Sequence, residues 1–229
     1  MKKWFATVLV LVMALSSFAV PGFAEEEKIT IGWAVAYFDH PVYQVMMQGA
    51  QELADSLENC EVIFADGKND ANTQASQIDT FIAQGVDAII LTAAVADPML
   101  PSIKKINDAG IPLLIVDRRI FPYDQDVTWE CYVTWDMVLS GTMGAMQTIE
   151  ALGGEGNAKG KVIVVEGTAG AGSTIDRGGA YYAKLEEEPG IEVIYKVDGD
   201  FDRAKGMEVT ETILQRYPNE GDFDVIYYM

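Results

Sequence analysis

Residues 112–120 read PLLIVDRRI, an aliphatic run that ends in Asp117, Arg118 and Arg119. An uninterrupted aliphatic run is typical of a strand buried on both faces of a parallel sheet. The chain has only 16 basic residues against 35 acidic ones, so two adjacent arginines at the end of a core strand are unexpected. Ligands of open parallel sheets bind beyond the carboxyl ends of the strands. The stretch therefore predicts both the fold class and the position of a binding site.

Seven further segments share this apolar character and alternate with helical segments. The first block comprises ITIGWAVA (29–36), EVIFAD (61–66), DAIILT (87–92), IPLLIVD (111–117) and CYVTW (131–135). The second block comprises KVIVVEG (161–167), IEVIYKV (191–197) and DVIYY (224–228). Apolar strands separated by helices predict an α/β protein with parallel sheets flanked by helices. The two blocks predict two lobes, 25–135 and 136–229.

The second block is expected to be incomplete, because the chain ends directly after a strand and three strands make a poor sheet. At roughly 30 residues per strand-helix-strand unit, we expect a truncated reading frame that lacks about 80 residues.

The helical segments carry start and stop signals. Pro41 opens the first helix, and Asp70 or Asn72 caps the second, which Gly85 ends. Six apolar residues share one face of the first helix: Val42, Val45, Met46, Gly49, Leu53 and Leu57. The helix after CYVTW carries a second apolar series: Leu139, Met143, Met146, Ile149 and Leu152.

The N-terminus has Lys2 and Lys3, an apolar run from Trp4 to Leu15, and small residues up to Ala24. This order is typical of a secretory signal peptide over residues 1–24, which predicts export to the periplasm or the extracytoplasmic envelope. A membrane anchor is the weaker alternative, because the apolar stretch is short and nothing basic follows it.

The charge and the rare residue types exclude several functions. A net charge of −19 argues against nucleic-acid binding, which needs a basic surface, and favours a soluble monomer. With His40 as its single histidine, the chain lacks a cluster for a zinc site, and we expect no metal or other cofactor. Cys60 and Cys131 each start a predicted strand, so we expect buried free thiols rather than a disulfide.

Catalytic alternatives fit the sequence less well. The loop EGTAGAGST (166–174) matches neither G-x-G-x-x-G nor a phosphate-binding Gly-Lys-Ser/Thr, and Ser173 lacks the context of a hydrolase nucleophile. Asp39 and Asp117 form a carboxylate pair that could serve a glycosidase. Arg118 beside Asp117 instead favours an ionised carboxylate, which suits hydrogen bonding. A purely structural ion pair between Asp117 and Arg118 remains open.

Five stretches, in this order, resemble the periplasmic sugar-binding proteins of ABC importers, ribose-binding type. They are AYFDHPVYQVMMQGAQELA (36–54), FADGKNDANTQASQIDTFIAQGVDAIIL (64–91), AGIPLLIVDRRI (109–120), EGTAGAGSTIDRGGAYY (166–182) and GDFDRAKG (199–206). The resemblance spans residues 29–229. It implies two Rossmann-like lobes that are joined by three crossing segments and close over one sugar.

The resemblance also implies roles for particular residues. Asp117 and Arg118 match a pair that hydrogen-bonds sugar hydroxyls, each of which both donates and accepts. Phe201 matches an aromatic residue that packs on the sugar ring. His40 and Tyr43 fall where the family has ligand contacts, although a helix-entry role for His40 and first-turn packing for Tyr43 stay open.

Other positions indicate which branch the chain resembles. Asp39 and the run STIDRG (173–178) look more like the galactofuranose-binding branch, whereas Ile175 stands where ribose binders carry an arginine. Arg119 matches no family contact, and we expect it to be solvated or paired with an acid such as Asp124.

Together these features predict a binding protein rather than an enzyme. It would capture a monosaccharide, a pentose or hexose and possibly a furanose, and deliver it to an ABC transporter permease. The alternative is a sensor that presents a sugar or furanosyl signal to a membrane receptor.

Overall fold

The computed structural model of the protein describes residues 28–121 and 126–229. The predicted signal peptide (1–24) and Asp124 lie outside the described residues. Two parallel sheets form, and we call the parts built on them, with their helices, the first lobe and the second lobe.

The first sheet contains five parallel strands in the order β2-β1-β3-β4-β5. The strands are β1 (Ile29–Val35), β2 (Cys60–Asp66), β3 (Ala88–Leu91), β4 (Leu113–Val116) and β5 (Cys131–Val133). The opening stretch forms β4, between β3 and β5, and its Leu113 and Ile115 are buried. The prediction of a core strand at this place is confirmed.

Helices cover both faces of the first sheet. They are α1 (Pro41–Asp55), α2 (Ala71–Gln84) and α3 (Leu100–Asp108), the last preceded by a short 3-10 turn, Asp97–Met99. Alternate residues of a strand point to opposite faces, and α2 and α3 pack with Ala34 whereas α1 packs with Trp33 and Val35. Asp70 caps α2, and Gly85 ends that helix with a left-handed φ of 67°, both as predicted.

The second sheet contains three parallel strands in the order β7-β6-β8. They are β6 (Gly160–Glu166), β7 (Ile191–Asp198) and β8 (Val225–Tyr228). The helices of this lobe are α4 (Met137–Ala151), α5 (Gly172–Leu185) and α6 (Arg203–Arg216). Two cores result, because Val162 and Val164 pack with α4 and α5 while Ile163 and Val165 pack with α6. The predicted α/β class with two parallel-sheet lobes is confirmed.

The apolar series noted on two helices form their buried faces only in part: Ile149 and Leu152 of the second series and Met46 of the first pack in the cores, whereas most other members do not. On α1, Val45 is 70% exposed and Leu53 is 64% exposed, while Tyr43 and Ala54 are buried instead. On α4, the exposed residues include Leu139, Met143 and Met146. Small residues on α4 permit close packing instead: Gly141 lets the backbone of α5 approach closely, and Gly144 lies against the ring of Tyr227 of β8.

The cysteine prediction was partly wrong. Cys60 and Cys131 are both unpaired thiols, as expected, and they lie on β2 and β5, the two edges of the first sheet. Cys131 is exposed and Cys60 only half-buried. The reason is their position on edge strands, where little packs against the start of the strand.

Across residues 28–121 and 126–229, none of the helices combines the length and apolar character that crossing a membrane requires.

Candidate functional site

The carboxyl ends of both sheets face a cleft between the lobes, and a cavity of about 170 Å³ lies in it. Five of the six predicted site residues line this cavity: His40, Tyr43, Asp117, Arg118 and Phe201. Five further residues complete the lining: Trp135, Met137, Ser173, Arg177 and Met229. A larger and more open groove of about 630 Å³ adjoins it and shares His40, Phe201 and Met229. The smaller cavity is the better candidate, because polar side chains from both lobes converge on it.

Asp117 is held at the end of β4 in an uncommon backbone conformation, with φ of 67°. Its backbone oxygen accepts hydrogen bonds from Thr134 Oγ1 at 2.8 Å and from Tyr132 Oη at 3.1 Å. Its side chain is 4% exposed, and its Oδ2 accepts a 2.6 Å hydrogen bond from Tyr43. The other oxygen, Oδ1, is buried and has no partner among the described residues. Asp117, a cavity-lining residue, therefore keeps one acceptor oxygen without a described partner.

Arg118 is the largest fully buried side chain in the described part of the molecule, with 1% exposure. Its Nη1 donates to the backbone oxygen of Ala94 at 2.7 Å and to Asn69 Oδ1 at 3.2 Å. Its Nε is buried and lacks a partner within the described ranges. The guanidinium carbon also lies 5.3 Å from the ring centre of Phe201, within the range of a cation–π interaction.

The described side chains of Asp117 and Arg118 form no ion pair with each other; Asp117 bonds Tyr43, and Arg118 bonds backbone oxygens and Asn69. The alternative of a purely structural ion pair is therefore wrong. Both neighbours line the cavity, and one has a buried acceptor and the other a buried donor without a described partner.

Phe201 has φ of 54° and Asp200 before it has φ of 56°, a conformation that is costly for a bulky residue. Hydrogen bonds hold this turn. Tyr37 Oη donates to the oxygen of Phe201 at 2.9 Å, and Thr168 Oγ1 donates to the oxygen of Asp200 at 2.9 Å. The ring lies so close to Gly167 that a Cβ there would come within 1.9 Å of it. Strained residues of this kind cluster at functional sites.

His40 caps α1, because its Nδ1 accepts a 3.3 Å hydrogen bond from the backbone N–H of Val42. Burial lowers the pKa of His40 below its ordinary value, and the positive charge of Arg118 lowers it further. The ring is therefore neutral near pH 7, and the bond to Nδ1 assigns its proton to Nε2. Burial raises the pKa of Tyr43 far above the usual range, so this hydroxyl stays a donor to Asp117.

Asp39, the sixth predicted site residue, lies outside the cavity, and so does Arg119, which was not expected to contact a ligand. Asp39 is exposed and lines a separate hollow with Tyr37 and Asp66. Arg119 makes a 2.6 Å ion pair across the cleft with Asp176 of α5, so its expected pairing with an acid is confirmed. Burial raises the pKa of Asp176 above its ordinary value.

The lobes also contact each other through neutral groups. Asn69 Nδ2 donates to Thr168 Oγ1 at 3.1 Å, and the N–H of Ala96 donates to the oxygen of Gly170 at 3.0 Å. The cleft is thus narrow in this structure.

Sequence reasoning missed half of the cavity lining. Trp135 and Met137 follow β5, and Ser173 lies in the segment after β6. The rule that ligands bind beyond the carboxyl ends of parallel strands would have identified all three if it had been applied to these strands as well. Arg177 lies a full turn into α5, and no local sequence signal marks it as a site residue.

The cavity chemistry suits a neutral ligand rich in hydroxyl groups. Asp117 offers an acceptor, while Arg118 and Arg177 each have a buried Nε with no partner among the described residues. Phe201 adds an apolar ring surface beside them. No group of three or more His, Cys, Asp or Glu side chains in the described ranges is arranged to hold a metal ion.

Two parallel α/β lobes around a polar cleft define the class of bilobed ligand-binding proteins. The chain belongs to the family described as "periplasmic binding protein domain", which matches residues 31–229.

Curated relatives share this similarity. The chain is 30% identical over 195 residues to the ribose import binding protein of Bacillus subtilis (strain 168), covering 85% of this chain and 60% of that protein. It is 32% identical over 163 residues to the galactofuranose-binding protein of Escherichia coli (strain K12), covering 71% and 50% respectively. The chain therefore spans about half to three fifths of the length of these relatives.

Solved structures agree. A crystal structure of a galactofuranose binding protein matches with a TM-score of 0.77 and 27% identity, covering 87% of this chain and 66% of that one. An ABC transporter solute binding protein from Bacillus halodurans C-125 with bound myo-inositol matches with a TM-score of 0.75 and 27% identity, covering 90% and 68%.

Proposed function

We propose that the protein binds a monosaccharide or a related polyol in the cleft between its lobes. The observation that carries this proposal is the pair of buried atoms, Asp117 Oδ1 and Arg118 Nε, that lack partners among the described residues. A buried polar atom without a partner is costly. A sugar hydroxyl accepts from one such atom and donates to the other.

The remaining lining supports the same ligand class. Phe201 offers an apolar surface to the carbon-bound hydrogens of a sugar ring, and His40 offers a neutral N–H donor. Charge plays a small part, because a neutral hydroxylated ligand needs hydrogen bonds rather than a counter-ion. Relatives named for ribose and galactofuranose binding make these two sugars the first candidates.

Lobe closure is the proposed binding mechanism. We assign residues 25–135 to the first lobe and 136–229 to the second. Ligand contacts from both lobes would stabilise the closed arrangement over an open one. Asp117 and Arg118 act from the first lobe and Phe201 from the second, and we include Asp39 as a further ligand contact because it lines a hollow with His40 and Phe201.

The physiological role we propose is delivery of the bound sugar to an ABC transporter permease by an exported monomer. The signal features of residues 1–24 and the family membership support an extracytoplasmic location. Relatives named as import binding proteins favour import over the sensory alternative.

Isothermal titration of the full-length protein tests the ligand class directly. The panel comprises D-ribose, D-galactose, L-arabinose, D-allose and myo-inositol. At least one should bind with a heat signal that saturates, and Asp117→Ala should abolish it or weaken it strongly. A wild-type protein that is folded by circular dichroism yet binds no member of a wider pentose, hexose and polyol panel contradicts the proposal.

A further inference from the structure

We propose that Tyr37 is a positioning residue for the bound sugar: from the first lobe, its hydroxyl group fixes the strained second-lobe turn that presents Phe201. The aromatic surface of the site is then complete only when the two lobes are closed. The inference rests on the proposed function and adds to it a residue that does not itself line the cavity. Tyr37 acts on the ligand through Phe201 and not by contact.

The first support is the strain in the turn. Asp200 and Phe201 have left-handed φ of 56° and 54°, and each is unfavourable for a residue other than glycine. The second lobe holds the two ends of the turn, because Gly199 N–H donates to the oxygen of Glu166 at 2.7 Å and Asp202 N–H donates to the oxygen of Gly199 at 2.9 Å. The two strained residues between these ends need partners of their own.

The second support is where those partners come from. The oxygen of Phe201 accepts a 2.9 Å hydrogen bond from Tyr37 Oη, which belongs to the first lobe. The oxygen of Asp200 accepts a 2.9 Å bond from Thr168 Oγ1, which in turn accepts a 3.1 Å bond from Asn69 of the first lobe. Separation of the lobes would therefore remove the Tyr37 bond outright and leave Thr168 without its bond from Asn69.

The third support is that the Tyr37 ring is anchored within the first lobe. It meets the rings of His40 and Tyr43 edge-on, with centroids 5.6 Å apart in both pairs, and the guanidinium carbon of Arg118 lies 5.6 Å from its centre. All three neighbours belong to the first lobe, so only the hydroxyl group of Tyr37 reaches across the cleft. Burial raises the pKa of Tyr37 to about 12, so the hydroxyl keeps its proton and remains a donor at neutral pH.

The test compares a bond that depends on closure with one that does not. Tyr37→Phe removes the hydroxyl and keeps the ring. Tyr132→Phe is the matched variant, because Tyr132 Oη also donates to the backbone oxygen of a site residue, Asp117, at 3.1 Å, but within the first lobe. Both full-length variants and the wild type are compared by urea denaturation without sugar. Titration calorimetry with D-ribose, D-galactose, L-arabinose, D-allose and myo-inositol measures their affinities.

Tyr37→Phe should weaken binding of the ligand that the wild type binds by roughly 2- to 12-fold, the contribution of one hydrogen bond between uncharged groups. Its urea midpoint without sugar should equal that of the wild type, because the Tyr37 bond is absent while the lobes are open. Tyr132→Phe should lower the urea midpoint without sugar, because its bond to Asp117 forms in either arrangement of the lobes.

Fluorine NMR reports on the ring of Phe201 directly. Phe201 is replaced by 4-fluorophenylalanine, and the fluorine signal is recorded with and without saturating sugar. In the wild type we expect a broad signal without sugar and a single narrow signal at a different shift with it. In Tyr37→Phe the signal at saturating sugar should remain broader than in the wild type, whereas in Tyr132→Phe it should narrow as in the wild type.

Two results overturn the inference while leaving the proposed function standing. One is a urea midpoint without sugar that falls as far in Tyr37→Phe as in Tyr132→Phe, since the Tyr37 bond would then not depend on closure. The other is a fluorine signal of Tyr37→Phe at saturating sugar that matches the wild type, whatever the affinity. A folded wild type that binds no pentose, hexose or polyol overturns the proposed function itself.

Discussion

The two sides of the cavity are held in place by different means. On the first-lobe side, hydrogen bonds fix both side chains. Asp117 accepts a 2.6 Å bond from Tyr43 Oη, and Arg118 donates a 2.7 Å bond to the backbone oxygen of Ala94. On the second-lobe side, hydrogen bonds from Tyr37 and Thr168 hold only the backbone of the Phe201 turn, and the Phe201 ring itself is held by contact with Gly167.

The difference predicts different sensitivities. The first-lobe side should suffer when a donor or acceptor is removed, because a buried polar partner is then left without a hydrogen bond. The second-lobe side should suffer when a methyl group is added, because packing at Gly167 leaves no space for one.

The largest effect is expected from Arg118→Met. This change removes the buried donor that faces the ligand and takes a donor from Ala94. Since one hydrogen bond to a charged group contributes about 1.5–3 kcal/mol, sugar affinity should fall by roughly 10- to 150-fold. Titration calorimetry measures the sugar affinity. The control is Arg119→Met, which changes the adjacent but exposed arginine. Similar losses for the two variants would contradict the assignment of Arg118 to the ligand.

The next largest effect is expected from Tyr43→Phe. It deletes the hydroxyl that donates to Asp117 Oδ2 and keeps the ring, which packs 4.6 Å from that of His40. We expect the free energy of unfolding to drop by about 1.5–3 kcal/mol, measured by urea denaturation. The control is Tyr228→Phe, because Tyr228 is 47% exposed and bonds Thr210 near the surface. A loss no larger than that of the control would show that Asp117 does not depend on Tyr43.

Gly167→Ala probes the second-lobe side. The new methyl group would meet the ring of Phe201, so the ring must shift or the turn must move. Overpacking costs about 1–3 kcal/mol, and we expect both lower stability and weaker sugar binding. Gly179→Ala is the matched control: no described atom lies within 4 Å of a Cβ there, and alanine is favoured in a helix. Equal sugar affinities of the two variants would contradict the conclusion that packing at Gly167 holds the second-lobe side of the cavity.

The fold was predictable from the sequence because strand signals are local. The apolar runs located every strand, and the stretch ending in Asp117 and Arg118 located the cleft. The packing faces of α1 were not predictable, since that helix has two apolar stripes and the sequence does not tell which meets the sheet. In α4 the small residues Gly141 and Gly144 mediate packing against other elements, which hydrophobic periodicity does not register.

The details of the site depend on contacts that are distant in sequence. The contact of Phe201 with Gly167 joins two distant parts of the second lobe, whereas the bond from Tyr37 to the Phe201 turn and the ion pair of Arg119 with Asp176 join the two lobes. Arg177 reaches the cavity because α5 packs on α4. None of these has a local sequence signature.

A smaller effect is expected from the ion pair between Arg119 and Asp176, which joins the two sides across the cleft. The arginine is 45% exposed, and exposed pairs contribute about 0.2–1 kcal/mol. Asp176→Asn should therefore weaken sugar binding by no more than about fivefold, and less at high salt. Titrations at low and high salt measure this, and a loss as large as that of Arg118→Met would mean that the pair dominates closure.

The smallest effect is expected from the protonation of His40, whose half-buried ring keeps contact with solvent. Its pKa is lowered in the folded protein by burial and by Arg118, so below its ordinary value of about 6.5 the unfolded chain binds a proton that the folded chain does not. The free energy of unfolding should therefore fall as the pH drops through that value. His40→Asn removes the titration and keeps a residue suited to capping α1. The wild type should therefore lose stability relative to the variant as the pH is lowered from about 7.5 to about 5.5. A difference that stays constant over this range would show that the ring is not desolvated by the cavity.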